Sequence, residues 1–468
     1  MLKKHVAHRY CHTFEQTKLL QMKQIFTLCA VFIAVQFLNA QLITATGSTS
    51  VPRMWHSSQT LTNGRVVVFG GYNGNASSPV TYSSAEIYNN GSWTSTGSMS
   101  TQRNKVSSAL LTNGNILAIG GQDASLNDLA TCEIYNASTG TWSSTGSLTT
   151  ARSNSKIIVL NNGKILAAGG QYTSTCELYD QTTNTWTATG TMNVTRYDGF
   201  ALTKLSDGRV LATGGNNQNS AEIYDPSTGN WTNVTSTMTG SRQYHQSILM
   251  SNNKVLIAGG DFTLTSEVFD PATGTFTAAG ALLHYISNCP MVNLSNGKVL
   301  VFGIGTLFST DREALQVFNP VANQWYLAGP VPSSIFTAAV YTVHQLSNGR
   351  ILYVNGNFTT GNGASQYCYL VDPAQVAVGV ENIPVEFESA VFPNPANDQI
   401  TLTADVPSGE QVTVAIYDAL GHLVTSATDI AGSYGFRKEL FVDDLHSGLY
   451  FVQMTYGEKS VTQRMIKN

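Results

Sequence analysis

The stretch Lys254-Val-Leu-Ile-Ala-Gly-Gly260 decides the fold, because nearly the same seven residues recur five times along the chain. Each copy is a short apolar run that ends in two glycines. The other four copies lie at residues 65–71, 115–121, 164–170 and 209–215, and two altered copies follow at 298–305 and 350–356. The glycine pairs of the five full copies recur every 45 to 50 residues. A period of this size predicts a β-propeller or a solenoid.

A longer repeated unit surrounds this apolar run. In its fullest copy the glycines are followed by Ser220-Ala-Glu-Ile-Tyr-Asp-Pro-Ser-Thr-Gly-Asn-Trp231. Asn-Gly turns, such as Asn63-Gly64, precede the apolar run in most units. They indicate hairpins, because both turn residues tolerate a positive φ. Each unit therefore predicts four short strands, and no part of the repeat region has convincing helical periodicity.

The two ends of the repeat region indicate how the array closes. There are seven glycine strands, but the seventh unit ends near Pro373 without its tryptophan strand. The segment from Gln41 to Arg53 aligns with the segment from Trp93 to Arg103. We expect this N-terminal strand to complete the seventh sheet, since a closed ring leaves no open sheet edge.

This order of elements resembles the kelch family, in which a glycine pair, a spaced tyrosine and tryptophan, and a following arginine recur. The resemblance covers residues 41–373, and several of its elements recur in order in at least five units. It implies an all-β fold, a seven-bladed kelch-type β-propeller. Units six and seven depart from the family pattern, because they lose a glycine, the glutamate and the arginine.

A different unit follows a predicted linker at residues 374–388. Residues 389–468 contain alternating strands and predict a small C-terminal β-sandwich of plausible independent size. This unit closely resembles the type A C-terminal sorting domain of the type IX secretion system, and the matching pieces are Pro393-Asn-Pro395, Ile416-Tyr417-Asp418 with Gly421, and Ser447-Gly448-Leu449-Tyr450. The alternative is a generic carbohydrate-binding or adhesion module.

The resemblance to the sorting domain implies where the protein is located. Such a domain engages the type IX secretion machinery, which carries proteins across the outer membrane of a Gram-negative cell. We therefore expect residues 389–468 to contact that machinery. The protein is then secreted or attached to the outer cell surface.

The N-terminus has the features of a secretory signal peptide. A basic start at Met22-Lys23 precedes an apolar run from Ile25 to Leu38, and Ala40 supplies a small residue before the cleavage point. These are the three regions of a signal peptide, so we assign residues 1–40 to it and expect translation to begin at Met22. The run is short for a membrane span, so we expect no transmembrane segment after cleavage. An uncleaved anchor helix is the alternative.

Charge and cysteine content exclude some functions. The formal net charge of −4 gives no basic face, and we expect no nucleic-acid partner. Four cysteines follow the signal peptide, namely Cys132, Cys176, Cys289 and Cys368. Cys132 and Cys176 occupy equivalent positions of successive repeats, which favours buried free thiols over a bridge. No pair has the spacing of a zinc site.

An arginine recurs just before the first strand of the first five units, at Arg53, Arg103, Arg152, Arg196 and Arg242. His284 is the residue expected at this position in the sixth unit. An arginine ring could bind anions, since its guanidinium groups match carboxylates and sulfates. The favoured interpretation is structural: each arginine pairs with backbone groups or with the recurring glutamate of its own unit.

The residues that are not repeated are the better candidates for a ligand site. Aromatic and histidine side chains cluster around the arginine position, and such side chains suit stacking on a sugar or an apolar ligand. Ordinary packing around the central channel is the alternative. The candidate residues are Trp55, His56, Tyr197, Arg242, Tyr244, His245, His284, Tyr285 and Phe336.

An enzymatic alternative comes from a shared fold. Galactose oxidase has this propeller type, and its copper site needs two histidines, two tyrosines and a cysteine. Tyr244, His245, His284, Tyr285 and Cys289 supply these residue types here. No nucleophile elbow, phosphate loop or zinc-protease motif occurs, so we assign no catalytic residue, metal or cofactor.

The sequence favours a secreted or surface-held binding protein that recognises an extracellular glycan or protein. A galactose-oxidase-like copper enzyme and a structural or adhesive surface component without a small ligand are the alternatives.

Overall fold

The computed structural model describes residues 42–74, 79–170, 172–197, 199–260, 263–303, 314–328, 338–339, 342–354, 356–358, 364–376, 389–418, 423–433, 435–457 and 459–468. The chain divides into two compact units, Met1–Ala377 and Val378–Asn468. The predicted signal peptide and most of the predicted linker lie outside the described residues.

The first unit consists of seven four-stranded antiparallel sheets. Strand β1 is Ile43–Ala45, and the first three sheets that follow it are β2 (Ser57–Thr60), β3 (Val66–Phe69), β4 (Ala85–Asn89) and β5 (Ser92–Thr96); β6 (Ser107–Leu110), β7 (Ile116–Ile119), β8 (Cys132–Asn136) and β9 (Thr141–Thr145); and β10 (Lys156–Val159), β11 (Ile165–Ala168), β12 (Cys176–Asp180) and β13 (Thr185–Thr189).

The next three sheets continue in the same order. They are β14 (Ala201–Lys204), β15 (Val210–Thr213), β16 (Ala221–Asp225) and β17 (Asn230–Asn233); β18 (Gln246–Leu249), β19 (Val255–Ala258), β20 (Ser266–Asp270) and β21 (Thr275–Ala278); and β22 (Met291–Asn293), β23 (Val299–Gly303), β24 (Ala314–Asn319) and β25 (Gln324–Leu327).

The seventh sheet joins the two ends of the repeat region. The strands in this part of the chain are β26 (Ala338–Ala339), β27 (Thr342–Gln345), β28 (Ile351–Val354), β29 (Asn357–Phe358) and β30 (Cys368–Val371), and a 3-10 turn follows at Pro373–Gln375. Strands β27, β28 and β30 form the sheet with β1, whereas β26 pairs with β29. Strand β1 pairs antiparallel with β30, with Ile43 opposite Val371, so the N-terminal strand forms the outer edge of this sheet. The first strands of the first six sheets contact one another in order, β27 contacts β2, and the sixth and seventh sheets share an apolar cluster. The sheets are therefore the blades of a closed propeller around a central channel.

The apolar glycine strands are continuous because both of their faces are buried. In β3, Val67 and Phe69 pack against the second blade, whereas Val66 and Val68 pack against the seventh. Side chains alternate between the two faces of a strand. A strand held between two neighbours therefore reads as an unbroken apolar run, as buried strands generally do. Each pair of neighbouring blades encloses one such apolar cluster.

The repeated tyrosine and tryptophan form a ring pair within each of the first four blades, and Phe269–Phe276 and Phe318–Trp325 take their place in the next two. Tyr88 of β4 lies opposite Trp93 of β5, and their ring centroids are 5.2 Å apart. The tyrosine hydroxyl also reaches the outer strand of the preceding blade, where it bonds Thr46 at 2.7 Å. The same bond joins Tyr135 to Thr96 at 2.8 Å. These residues recur because they stabilise both the blade and its junction.

The two glycines that end each apolar strand are required by the backbone. Gly70 and Gly71 have φ values of 67° and 86°, which L side chains rarely adopt. A Cβ on Gly70 would lie 2.6 Å from the carbonyl oxygen of Arg103.

The Asn-Gly hairpins use one left-handed residue in each turn. Only the glycine of each pair has a positive φ, as at Gly64, where φ is 80°. The Gly64 amide donates to Leu61, and the Leu61 amide donates to Arg65. This pattern fits a type I turn followed by one left-handed residue; the predicted hairpins are present, and the asparagine does not use the positive φ that it tolerates.

A buried ion pair fixes the entry segment of each of the first five blades. The arginine before the first strand bonds the glutamate of the third strand, at 3.1, 2.9, 2.6, 3.0 and 2.8 Å in chain order. All ten side chains are buried. The pairs are Arg53–Glu86, Arg103–Glu133, Arg152–Glu177, Arg196–Glu222 and Arg242–Glu267. The structural interpretation of the repeated arginine is confirmed.

Each pair is completed by backbone groups, as the third blade illustrates. Arg152 donates to the carbonyl oxygens of Gly169 and Thr175, both at 2.8 Å. Glu177 accepts from the amide of Thr149 at 2.7 Å. Burial acts to raise the pKa of Glu177, but the hydrogen bonds from Thr149 and Arg152 outweigh it and leave that pKa below its ordinary value. The carboxylate is therefore ionised and holds the entry segment to the sheet.

The sixth blade replaces both charges with neutral residues. Ile286 accepts from the Gly260 amide at 2.9 Å, as Arg242 does from Gly215 at 2.7 Å, so Ile286 occupies the arginine position. Gln316 takes the place of the glutamate, and its Oε1 accepts from the amides of Leu283 and His284. The prediction that His284 occupies the arginine position is therefore wrong by two residues. Loss of one charge leaves the other unpaired and costly to bury, which explains why both have changed.

The second unit is a small β-sandwich with its own core. Its strands are β31 (Ser389–Phe392), β32 (Gln399–Ala404), β33 (Gln411–Asp418), β34 (Leu423–Ile430), β35 (Phe436–Phe441), β36 (Gly448–Tyr456) and β37 (Lys459–Lys467). They form a three-stranded and a four-stranded sheet. Alternating residues of β32, among them Ile400 and Leu402, point into the core. The predicted fold class, a seven-bladed propeller followed by a small β-sandwich, is confirmed.

Two further sequence-based expectations concern cysteines and helices. Cys132, Cys176, Cys289 and Cys368 are buried, and Cys132 and Cys176 are free thiols, as expected. Within the described ranges, no helix has the length and apolarity needed to cross a membrane.

The sixth blade suggests a direct test of the ion pairs. We predict that Arg152→Ile lowers the free energy of unfolding by about 3–5 kcal/mol, because Glu177 is left buried and unpaired. The double variant Arg152→Ile with Glu177→Gln copies the sixth blade, so we expect it to regain a large part of this loss. Denaturant unfolding, followed by the tryptophan fluorescence of the propeller, measures both.

The matched control is Lys164→Met, which breaks an exposed pair with Asp180. We expect this variant to change the free energy of unfolding by about 0.5 kcal/mol or less. A double variant less stable than Arg152→Ile would contradict the account.

Candidate ligand site at the channel mouth

A ring of left-handed residues surrounds one end of the channel. The residue two places after the arginine has a positive φ in four blades, with values of 55°, 48°, 54° and 56° at Trp55, Lys105, Asn154 and Tyr244. Asn288, two places after Ile286, has a φ of 55°, and Gly199 of the fourth blade has a φ of 71°. We call these six residues the mouth ring; they are Trp55, Lys105, Asn154, Gly199, Tyr244 and Asn288.

Backbone hydrogen bonds connect the mouth ring from blade to blade. The Lys105 amide donates to the Trp55 carbonyl at 2.8 Å, and the Asn154 amide donates to Lys105 at 3.0 Å. On the other side, Tyr244 donates to Gly199 at 2.8 Å and Asn288 donates to Tyr244 at 2.6 Å. A left-handed residue other than glycine is uncommon and costs about 1 kcal/mol. The ring thus holds side chains in strained positions at the channel opening, where strain often accompanies function.

A cavity of about 230 Å³ opens inside the mouth ring. Four mouth-ring residues line it together with the first residues of neighbouring inner strands. Its lining residues are Trp55, His56, Lys105, Val106, Ser107, Asn154, Lys156, Gln246, Asn288 and Pro290. The cavity therefore combines one large aromatic ring, two lysines, three amides and little apolar surface.

The two lysines of the cavity have no acidic partner in the part of the chain that the structure describes. Lys105 lies over the Trp55 ring, with its ammonium nitrogen 5.6 Å from the centroid. Burial lowers the pKa of the half-buried Lys156. None of the ion pairs between described residues includes either lysine. The described residues therefore provide no counter-charge to these two lysines.

Three of the candidate residues from the sequence are buried below the ring. Arg242 is held by Glu267 at 2.8 Å and by the carbonyl oxygens of Gly259 and Thr265. His245 packs against Gly214 and bonds Thr213 Oγ1 through Nε2 at 2.9 Å. His56 is buried at the edge of the cavity, with Nε2 3.4 Å from Thr342 Oγ1. Of these three, only His56 contributes to the cavity lining.

The remaining candidates lie in several places. Trp55 is half-buried in the mouth ring and lines the cavity. Tyr197 is stacked on the exposed Tyr172, with ring centroids 5.0 Å apart. His284 and Tyr285 are half-buried and precede the mouth-ring position of their blade. Tyr244 belongs to the ring itself. Phe336 lies outside the described residues.

Buried histidines near the channel are held in their neutral form. Burial, with the nearby charge of Arg242, lowers the pKa of His245 to about 3. Burial, with the charge of Arg53, lowers that of His56 to about 3. Burial also lowers the pKa of His344, which bonds Ser58 and Thr60, to about 4. These side chains act as polar packing at neutral pH.

The residues that suggested a copper site do not come together as ligands. The His245 ring is buried and bonded to Thr213, whereas His284 lies outside the cavity lining. The Cys289 thiol donates to Ser287 at 3.2 Å and packs in an apolar cluster with Met250 and Leu282. Across the described ranges, no group of three or more His, Cys, Asp or Glu side chains is placed to hold a metal ion. The positions of His245 and Cys289 do not fit a galactose-oxidase-type centre.

Sequence reasoning missed most of the polar lining. Lys105 and Asn154 share the position of Trp55, two residues after an arginine, and this spacing could have identified them. Lys156 and Gln246 begin the inner strands β10 and β18. Their convergence depends on closure of the ring, which no local pattern reveals.

Two family models match the chain. The kelch motif matches residues 107–149, and the secretion system C-terminal sorting domain matches residues 390–468. The repeated blades and these matches define an all-β, kelch-type propeller protein with an added sorting domain. The protein is a kelch-repeat protein exported through the type IX secretion system of a Gram-negative bacterium, to the cell surface or the medium.

A solved structure has a similar fold. It is described as a novel fungal alcohol oxidase with catalytic diversity among the AA5 family, in complex with copper. The two chains are 15% identical, with a TM-score of 0.56 over 92% of this chain and 100% of that one. This similarity supports the fold alone. No curated protein sequence matches the chain.

The lowered histidine pKa values predict acid sensitivity. Between about pH 6.5 and pH 4 the unfolded state binds a proton at His245 that the folded state does not, so stability falls as the pH falls. His245→Gln removes this proton uptake. We expect its unfolding free energy to fall less steeply over this range, by up to about 1.4 kcal/mol per pH unit.

Denaturant unfolding at a series of pH values measures this slope. Thr213→Val is the matched control, because it removes the same hydrogen bond but keeps the imidazole. It should therefore retain the wild-type slope. Equal slopes for His245→Gln and wild type would show that His245 is protonated alike in both states.

Proposed function

We propose that the protein is an extracellular binding protein whose propeller recognises a glycan through the mouth cavity. The observation that carries the proposal is the convergence of Trp55 with amide and ammonium groups at the channel opening. An aromatic face stacks on the apolar side of a sugar, while amides and hydroxyls bond its polar edge. The mouth ring fixes these groups on backbone that is bonded from blade to blade.

The size of the cavity limits what it can enclose. Drug-sized ligands occupy pockets of about 300–1,000 Å³. The mouth cavity is about 230 Å³, so it suits one terminal sugar residue, and the rest of a chain would extend outward. A protein ligand would need a broader contact surface than this cavity offers.

The copper enzyme is not favoured as a second function. Its support is the fold shared with an alcohol oxidase, and at 15% identity a shared fold does not indicate the substrate. His245 is bonded to Thr213, and the Cys289 thiol lies in an apolar cluster, so neither is placed as a copper ligand. A structural or adhesive role without a small ligand remains the outcome expected if no glycan binds.

Trp55→Gly tests the binding site without straining the ring. Glycine adopts the φ of 55° at this position readily, so the backbone of the mouth is retained. We expect affinity for the glycan to weaken by roughly thirtyfold, since loss of a central aromatic contact typically costs about 2 kcal/mol or more. A glycan array identifies the ligand, and calorimetry measures the affinities.

Tyr172→Gly is the matched control. Tyr172 is, like Trp55, an aromatic residue at positive φ, with a φ of 60°, but it is exposed and lies outside the cavity lining. We expect this variant to bind like the wild type. Loss of binding in Tyr172→Gly with normal binding in Trp55→Gly would move the site to the Tyr172–Tyr197 pair.

We also propose the domain boundaries that the sequence indicated. These are a signal peptide at 1–40, the propeller at 41–373, a linker at 374–388 and the sorting domain at 389–468. The division into compact units after Ala377 and the family match from residue 390 support them. The sorting domain then carries the propeller through the secretion machinery.

Deletion of residues 389–468 should trap the propeller in the periplasm. The deleted segment contains the whole matched sorting domain, and the propeller retains its own core. Fractionation and surface protease accessibility, compared with the full chain, report its position. Normal surface display of the truncated chain would overturn the proposed role of this segment.

A further inference from the structure

The proposed glycan site has a charge that limits its ligands. We propose that the mouth cavity selects an anionic sugar, one that carries a carboxylate or a sulfate, which Lys105 and Lys156 bind while the sugar ring lies on Trp55. This inference rests on the proposed function, because it names the class of glycan that the same cavity takes.

The first support is an excess of positive charge in an acidic protein. The chain has a formal net charge of −4, yet the described residues that line the cavity include two lysines and no aspartate or glutamate. The five buried arginines of the blades are neutralised by their glutamates. A concave site lined by one sign of charge concentrates the opposite charge. Among the described residues, the positive charge of this region that has no acidic partner therefore belongs to Lys105 and Lys156.

The second support is the environment of Lys156. Its ammonium group has no ion-pair partner among the described residues, and burial is the cause of its lowered pKa. A partly desolvated charge without a partner is unfavourable. A bound anion would relieve this cost. The cavity should therefore bind a negatively charged ligand more tightly than its neutral counterpart.

The third support is the way Lys105 is held. Its ammonium lies over the Trp55 ring at 5.6 Å, and its backbone is fixed by bonds to Trp55 and Asn154. The charge and the indole are thus adjacent, and a sugar ring that stacks on this face takes the place of the ammonium, which then lies beside the sugar. A sugar ring on the indole would bring an attached acidic group close to this lysine. Asn154, Gln246 and Asn288 provide amides for the remaining hydroxyl groups.

Calorimetry with three probes tests the proposal on the full secreted chain. The probes are galacturonic acid, a galactose sulfate and galactose. We expect either acidic sugar to bind at least about tenfold more tightly than galactose, since hydrogen bonds to charged groups are about twice as strong as neutral ones. The acidic probe that binds more tightly shows whether the cavity prefers a carboxylate or a sulfate. Added salt should weaken only the acidic probes.

Lys105→Met and Lys156→Met remove the charges and keep the hydrocarbon stems. We expect each variant to lose about tenfold or more in affinity for the acidic probe and little for galactose. Lys164→Met, at an exposed lysine already paired with Asp180, is the matched control and should bind like the wild type. Unfolding midpoints show that each variant is folded.

The outcomes separate this inference from the proposed function. Equal binding of galactose and the acidic sugars, lost in Trp55→Gly, would overturn the charge selection and leave the glycan site in place. Failure of any sugar to bind would overturn both. Tighter binding of an acidic peptide than of any sugar would show that the lysines serve a protein ligand.

Discussion

The propeller depends on a buried arginine–glutamate pair that is repeated from blade to blade. The pair joins the segment entering a blade to the third strand of that blade, and each member is further bonded to backbone groups. Neither charge is stable in the interior alone, so the two change together or not at all. The sixth blade shows the consequence, because Ile286 and Gln316 replace both members and the entry segment is still held by hydrogen bonds. Repetition here indicates a structural role.

The segment entering a blade has one structural residue and one residue for ligand recognition within a short stretch of chain. The arginine fixes the backbone, and the residue two places later adopts the left-handed conformation that forms the mouth ring. Because backbone bonds define the ring, its side chains are free to differ. They are tryptophan, lysine, asparagine, glycine, tyrosine and asparagine in successive blades. Variation on a fixed frame is what a binding surface requires, and it explains why the candidate site lies beside the most regular feature of the sequence.

The fold could be predicted from the sequence because it is a local pattern repeated seven times. The glycine pairs, the tyrosine–tryptophan spacing and the missing outer strand each follow from a requirement within one blade or between neighbours. The assignment of His284 to the arginine position was wrong because the sixth blade lacks the charges that anchor the alignment, and only the Ile286 hydrogen bond reveals the register.

The site was less predictable for a different reason. Trp55 was expected at the mouth, and it lines the cavity. The sequence grouped Arg242 and His245 with Trp55 because they occupy similar positions in the repeat. In the structure both side chains are buried, because Arg242 pairs with Glu267 and His245 bonds Thr213. Lys156 and Gln246 belong to strands that are far apart in the chain, and their proximity exists only in the closed ring. A repeat predicts what each blade shares, whereas the cavity is made from what the blades do not share.

The central claim is that ligand recognition takes place in the mouth cavity. A crystal structure of the protein soaked with galacturonic acid tests it most directly. The account predicts electron density for the sugar ring against Trp55, with its carboxylate within hydrogen-bond distance of Lys105 or Lys156. Density at another surface, with the mouth cavity holding only solvent, would contradict it.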